Sequence, residues 1–86
     1  MFYLYVLKSQ NSSRHYIGTA GNVDIRLHRH NSGHVASTKP HRPWNIVHTE
    51  EFRDKTSARE REVFLKETAR ARTELFERIE ALSSIG

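Results

Sequence analysis

The sequence predicts an α+β fold with its elements in the order β-β-α-β-α-α. Three observations predict it. Two aromatic-rich runs of strand length, joined by turn residues, open the chain; an alternating run lies near its middle; and helical periodicity fills the segments on either side of that third run.

Residues Phe2 to Leu7 (Phe-Tyr-Leu-Tyr-Val-Leu) are apolar on both alternating faces, the pattern of a strand covered on each side. Gln10-Asn11-Ser12-Ser13 is turn chemistry, and Arg14 to Thr19 resumes strand character, so the two runs form a hairpin with Gly18 ending its second strand. A glycine there marks a bend or a close backbone approach. Asn22 is a plausible N-cap and Asn31-Ser32-Gly33 a stop, enclosing a helix of about ten residues. On that helix Arg26 and His30 border the stripe of Val23 and Leu27 that must face the sheet.

Gly33 to Pro43 is polar, basic and carries two prolines, a loop with room for a short helical turn. Trp44 to Glu50 alternates as a third strand. Ser57 and Glu60 have capping-box spacing, so a helix is expected from Ala58 to about Arg70, with Ala58, Glu62, Leu65 and Ala69 along one seam. A last amphipathic helix buries Leu75, Phe76, Ile79 and Leu82 before a Ser83-Ser84-Ile85-Gly86 tail.

At 86 residues the chain has room for one small domain, expected over residues 1–86. No apolar run approaches the roughly 20 residues of a membrane span, and Phe2 to Leu7 is too short and lacks the basic lead of a signal peptide. A cytoplasmic location and no membrane partner are expected. There are no cysteines, so neither disulfides nor thiolate zinc sites hold the fold, and a hydrophobic core must.

The formal charge of +4 is unevenly placed: the first fifty residues hold six Lys and Arg against two acidic residues, together with all six histidines, and the remainder is balanced at eight of each. A phosphate backbone is the commonest macromolecular partner for such a half, although a plain solvated basic face has the same composition.

Glu62 is the most informative single residue. A carboxylate in an apolar seam must be paired or bind a cation, so it is either a structural salt bridge with Arg26 or a metal ligand. Two strand tyrosines, Arg26 and His30 border the same region. That company suits phosphodiester hydrolysis, in which a carboxylate holds a divalent cation, an arginine neutralises developing charge and a phenol or imidazole accepts a proton from water. Core packing with a hydroxyl at the edge is the ordinary role of strand tyrosines. His28, His30 and His34 do not make a zinc site, because His28 and His30 cannot share a helix face and Gly33 intervenes before His34.

The ordered spacing resembles the GIY-YIG endonucleases, most closely their small stand-alone bacterial members. Tyr3-Leu4-Tyr5 is followed by Val6-Leu7, and an intact Tyr16-Ile17-Gly18 comes eleven residues after Tyr5. Arg26 stands ten residues beyond Tyr16; His30-Asn31-Ser32-Gly33, Pro43-Trp44 and Glu50 follow, and Ala58, Glu62 and Lys66 recur at four-residue intervals. The resemblance spans nearly the whole chain. It departs from the family pattern in Tyr3 and Leu4, where the family has Gly and Ile, and in having no Asn beyond Asn45.

The resemblance implies a three-stranded antiparallel sheet flanked by helices, a GIY-YIG-like α/β sandwich, and a metal-dependent endonuclease. It makes Tyr5 the general base or water-orienting phenol, with Tyr16 beside it at the scissile phosphate, Arg26 the phosphate clamp, His30 a hydrogen-bonding partner of the attacking or leaving side, and Glu62 the sole protein ligand of one Mg²⁺ or Mn²⁺. Arg14 adds a phosphate contact. Cations near Tyr5 are needed to lower a phenol pKa near 10. Arg29, His34, Lys39, His41 and Arg42 are expected to track phosphates beside the site, the alternative being plain solubilising charge. The expected partner is nucleic acid, DNA first with RNA left open, and specificity falls to this module or to a partner protein. A non-catalytic nucleic-acid-binding module of the same fold is the rival, and an adaptor using the last helix a third class; Tyr5, Tyr16, Arg26 and Glu62 occurring together favour the enzyme.

Overall fold

A computed structural model describes residues 1–83. Strand β1 (Phe2–Ser9) lies at the centre of a three-stranded antiparallel sheet, between β2 (His15–Ala20) and β3 (Trp44–Phe52). That central position explains its apolar run: Leu4, Tyr5, Val6 and Leu7 are fully buried because both faces of the strand are covered. Helices α1 (Val23–Asn31), α2 (Lys55–Glu67) and α3 (Ala69–Ser83) complete the order β-β-α-β-α-α read from the sequence.

Alternation along the strands sorts the core into two layers. On one face Leu4, Val6 and Ile17 pack with Leu65, Leu75 and Ile79 of α2 and α3. On the other, Tyr5, Leu7, Ala20 and Trp44 pack against Tyr16, Val23 and Leu27. Tyr5 and Tyr16 thus belong to the α1 side, whereas α2 approaches the other side near β2. The site forms along that edge strand.

Several element boundaries differ from the sequence expectation, each for a local reason. β1 continues to Ser9, whose buried hydroxyl donates to the His41 carbonyl at 2.6 Å and accepts from the Asn11 and Ser12 amides, tying the hairpin turn to the loop before β3. β2 does not end at Gly18; Gly18 pairs with Tyr5 inside the ladder and the strand runs on to Ala20. Asn22 caps α1 as expected, its side chain accepting from the Ile25 amide. The short helical turn in the loop is a 3₁₀ turn at Lys39–His41. The expected Ser57 capping box gives way to an earlier start, because the Asp54 carboxylate accepts from the Ser57 amide at 2.8 Å and places Ser57 inside the first turn.

α2 stops at Glu67, where Thr68 turns extended, rather than at Arg70. Ala69 consequently opens α3, is exposed and leaves the seam, while Ala58 and Leu65 stay fully buried in it. α3 buries Leu75 and Ile79 and half-buries Phe76, but Leu82 is 67% exposed and lies outside the packed cluster. Of the expected tail, residues 84–86 lie outside the described residues.

Candidate active site

The α1 side of the site is a buried hydrogen-bond chain. His30, 1% exposed on the sheet-facing side of α1, receives the Tyr5 hydroxyl at its Nε2 (3.0 Å) and meets Thr38 Oγ1 through Nδ1 (2.9 Å). The Thr38 hydroxyl donates its proton to the Val35 carbonyl at 3.2 Å, so it accepts from His30. This assigns the proton to Nδ1 and leaves Nε2 to accept from the phenol. Thr38 also offers its carbonyl to the Trp44 indole at 2.9 Å. The Asn31 side chain pairs with both backbone groups of Trp44, donating to its carbonyl and accepting from its amide. The loop and the start of β3 are thereby locked to the end of α1.

Burial pushes the Tyr5 phenol well above its ordinary value; Tyr16 and Glu62 push it the same way, and the Arg26 guanidinium beside it only partly opposes them. Of the cations expected to lower this phenol, Arg26 acts in that direction, but desolvation of the fully enclosed side chain outweighs it. His30 shifts down, through burial and then through Arg26 and Arg29, so it is neutral at pH 7. The pair holds a phenol that resists ionising against an imidazole that resists protonation.

Gly18 makes this arrangement sterically feasible. A Cβ there would lie 2.6 Å from the Tyr5 hydroxyl and 2.9 Å from the Tyr16 ring. Tyr16, half-buried, presents its ring edge-on to His30 with centroids 4.6 Å apart. Arg26 is half-buried on the same helix as His30.

Glu62 completes the site from α2. Its Oε1 accepts from the Thr19 hydroxyl at 3.2 Å, its Oε2 pairs with the Lys66 ammonium at 2.7 Å, and its side chain is 19% exposed. The salt bridge with Arg26 that the sequence left open does not form; Lys66, one helical turn on, is the partner. Lys66 also stands over the Tyr16 ring, 5.7 Å from its centroid. α2 is held in place by Arg61, which grips Glu50 of β3 through Nε (2.9 Å) and Nη2 (3.3 Å), while His48 reaches the same carboxylate at 2.8 Å. Burial alone would raise the Glu50 carboxyl, but these hydrogen bonds and charges leave it below the usual carboxylate range.

No three His, Cys, Asp or Glu side chains gather to hold a metal ion among the described residues. The donors present are one partly exposed carboxylate and a neighbouring hydroxyl. That set fits a hard cation such as Mg²⁺, which keeps most of its water and takes one or two carboxylates plus phosphate oxygens, and it does not fit zinc.

Of the residues expected to contact phosphate, Arg14 belongs to a different cleft from Lys39 and Arg42. Arg14, at the mouth of β2, lines a cleft of about 560 Å³ with Lys66 and Arg72. Lys39 and Arg42 line a different cleft beside Asn31, with the Arg42 guanidinium against Gly33, and Arg29 and His34 are exposed near the end of α1.

A model of the GIY-YIG catalytic domain matches residues 1–75. The chain belongs to the GIY-YIG family. The UPF0213 protein of Natronomonas pharaonis is 37% identical over 73 residues, covering 84% of this chain and 85% of that one, and the UPF0213 protein of Clostridium perfringens is 35% identical over 71 residues, covering 81% and 75%. A solution NMR structure of a UPF0213 protein from Bacillus halodurans superposes with a TM-score of 0.55 at 28% identity, over 92% of this chain and 85% of that one. This GIY-YIG domain therefore falls in a nuclease family.

Within the GIY-YIG frame, Tyr5, Tyr16, Arg26 and His30 converge on the α1 side, with Glu62 facing them from α2 across the edge strand. The sequence does not single out Thr38, Thr19 or Arg72, and it marks Lys66 by spacing alone. None carries a local signal: Thr38 sits in a polar loop, Thr19 in a strand, and Lys66 and Arg72 among many charged helix residues. The four-residue step from Glu62 to Lys66 was the one usable hint.

Proposed function

We propose that this chain is an endonuclease that hydrolyses phosphodiester bonds in DNA, branched or single-stranded forms included, with one Mg²⁺ or Mn²⁺ held by Glu62. The observation that carries the proposal is the Tyr5–His30–Thr38 chain, with Arg26 beside Tyr5 and Glu62 acting electrostatically on the same phenol. A core tyrosine needs no buried imidazole of fixed tautomer behind it; a proton acceptor does.

The pKa shifts define how such a site would work. A free phenolate at Tyr5 is disfavoured by burial, so Tyr5 takes a proton from water as it passes its own to His30 Nε2, and the phenol stays neutral throughout. The net transfer is from water to imidazole, leaving hydroxide to attack phosphorus as the P–O bond to the leaving oxygen breaks; that oxygen takes a proton from solvent, and His30, whose imidazolium burial disfavours, returns its proton to solvent through Tyr5. Thr38 keeps His30 oriented and its Nδ1 proton in place. Arg26 clamps the scissile phosphate, and its movement onto that phosphate opens the enclosed phenol to water. Tyr16, the more exposed tyrosine, contacts the phosphate directly. Glu62 would hold the cation, which when bound would neutralise charge on the phosphoryl group. Arg14, Arg29, His34, Lys39 and Arg42 contribute phosphate contacts outside the centre, and a partner protein is a further source of specificity. A cytoplasmic site of action belongs to the same proposal; no helix among the described residues is long and apolar enough to cross a membrane.

Two observations favour a second reading, a catalytically weak or inactive nucleic-acid-binding module: Tyr5 is fully enclosed, and Lys66 stands on the carboxylate that a cation would need. Incubation with branched, single-stranded and duplex DNA and with RNA, in Mg²⁺, Mn²⁺ or EDTA, separates the two. Divalent-dependent cutting lost in Glu62→Ala and Arg26→Ala supports the nuclease. Salt-sensitive binding without cutting supports the module.

A further inference from the structure

The cleft between β2, α2 and α3 lies outside the Tyr5–His30 centre but shares Tyr16 and Lys66 with it. Its rim carries Arg14, Lys66 and Arg72, and no acidic residue lines it. Its floor includes Tyr16 and the stacked pair His15 and Phe76, whose ring centroids are 4.2 Å apart. Arg72 is held in place rather than free: its Nη1 donates to the Leu65 and Lys66 carbonyls at the end of α2, at 3.2 and 2.9 Å, which leaves its other N–H groups for a ligand. Arg14 is exposed and makes no ion pair among the described residues. Three cations border this aromatic surface, and the carboxylate beside them, Glu62, is held by Lys66, the chemistry that suits a phosphate with a stacking base.

We infer that this cleft binds a phosphate of the substrate strand adjacent to the one that is cut, and that Lys66 moves from Glu62 to that phosphate when the strand is seated. The second half of this inference rests on the reading of Glu62 as the metal ligand. Lys66 can engage only one of the two anions fully. Its present partner is the carboxylate, at 2.7 Å, and the same ammonium stands 5.7 Å from the ring centroid of Tyr16, which lines the cleft. Strand binding therefore unmasks Glu62, and the cation and the nucleic acid bind with positive coupling. The free protein consequently binds a divalent cation weakly until a strand is present.

Two measurements test this on the full chain. The first is binding of a hexathymidylate in EDTA as a function of NaCl. Arg14→Gln and Lys66→Gln should each lower the slope of log K against log [NaCl] by about 0.7, the value for one lost phosphate contact to a single strand. Wild-type slopes in both variants overturn the cleft assignment. The second is Mn²⁺ binding followed by electron paramagnetic resonance, with and without the same oligonucleotide. In wild type the oligonucleotide should tighten Mn²⁺ binding. In Lys66→Gln, Mn²⁺ alone should bind at least about two-fold tighter than in wild type, the scale of one i,i+4 ion pair, with a smaller gain from the oligonucleotide. Equal Mn²⁺ affinity in the two proteins under both conditions overturns the exchange of Lys66. Mn²⁺ binding undiminished in Glu62→Ala overturns instead the reading of Glu62 on which the exchange depends, and does not bear on the salt slopes.

Discussion

Tyr5 and Gly18 face each other across the β1–β2 ladder so closely that a methyl group on Gly18 would lie 2.6 Å from the Tyr5 hydroxyl. The glycine of the second motif is thus a steric condition for the first tyrosine. Its role concerns space and not backbone conformation, since among the described residues Gly33 is the glycine that takes a positive φ. Gly18→Ala should force Tyr5 or Tyr16 off its position, destabilise the protein by about 1–3 kcal/mol as overpacked sites do and abolish cleavage. Urea unfolding together with the nuclease assay checks this. A Gly18→Ala protein with wild-type stability and activity would show that the two tyrosines have room to spare.

Tyr5 and His30 should behave as a coupled unit. Tyr5→Phe leaves His30 Nε2 without its donor, and His30→Gln leaves the phenol hydroxyl to find another acceptor in a buried position. Each should lose about 1–3 kcal/mol of stability, and the double variant should lose less than the sum, as contacting pairs do. A double-mutant cycle by chemical denaturation reads this directly. Strict additivity would contradict the hydrogen bond between them. In the nuclease assay both single variants should be inactive or nearly so.

Acid sensitivity follows from the two histidines that burial shifts downward, His30 and His15; at His15 the positive charge of Lys8 adds to burial and Glu80 partly opposes them. A histidine whose folded pKa lies below its unfolded value of 6.5 contributes stability that is fully present above pH 6.5 and is lost as the pH falls towards the folded value. Melting temperature should therefore be level above about pH 7 and decline below about pH 6.5. Replacing His30 with Gln should flatten part of that decline, with the rest attributable to His15. Glu50, shifted below its ordinary 4.5, adds a separate loss at lower pH, present above its unfolded value and lost as pH falls through its folded one. Circular-dichroism melts between pH 4 and pH 8 provide the check, and a melting temperature that rises on acidification to pH 5.5 would contradict it.

The grip of Arg61 on Glu50 holds the helix that carries Glu62. Arg61→Met should cost about 1–2 kcal/mol, a charged hydrogen bond discounted for partial exposure. It should also lower cleavage by misplacing Glu62 without touching substrate. Chemical denaturation and cleavage rates at saturating DNA separate the two effects. Unchanged stability and rate would remove Arg61 from any positioning role.

What could be read from the chain in advance was whatever local periodicity encodes. β1 was legible because a strand covered on both faces has no polar alternation, and Arg26 and His30 because helical spacing put them at the edge of an apolar stripe. Glu62 stood out as a carboxylate where an apolar residue was due. Partners across the fold were not legible: Thr38 reaches His30 only once the loop folds back under Trp44, and no pattern in residues 33–43 announces it. The ion pair of Glu62 was half legible, since Lys66 lies one helical turn on. Arg26 and Lys66 both suit that carboxylate in charge, and only the relative placement of α1 and α2 decides for Lys66. Arg26 acts on Tyr5 in the direction its charge predicts, but counting cations leaves out desolvation, which depends on how completely the core closes.

The most direct test of the central claim is the single-turnover rate at which wild type and Glu62→Gln cut the DNA form that wild type prefers, in Mg²⁺ and in EDTA. Glu62→Gln retains the size of the side chain and an oxygen for the Thr19 hydroxyl while removing the charge. The expected result is Mg²⁺-dependent cutting by wild type that stops in EDTA and falls by about 100-fold or more in Glu62→Gln, the scale of losing one electrostatic stabiliser of a transition state. Cutting at the wild-type rate by Glu62→Gln, or cutting by wild type that persists in EDTA, would contradict it.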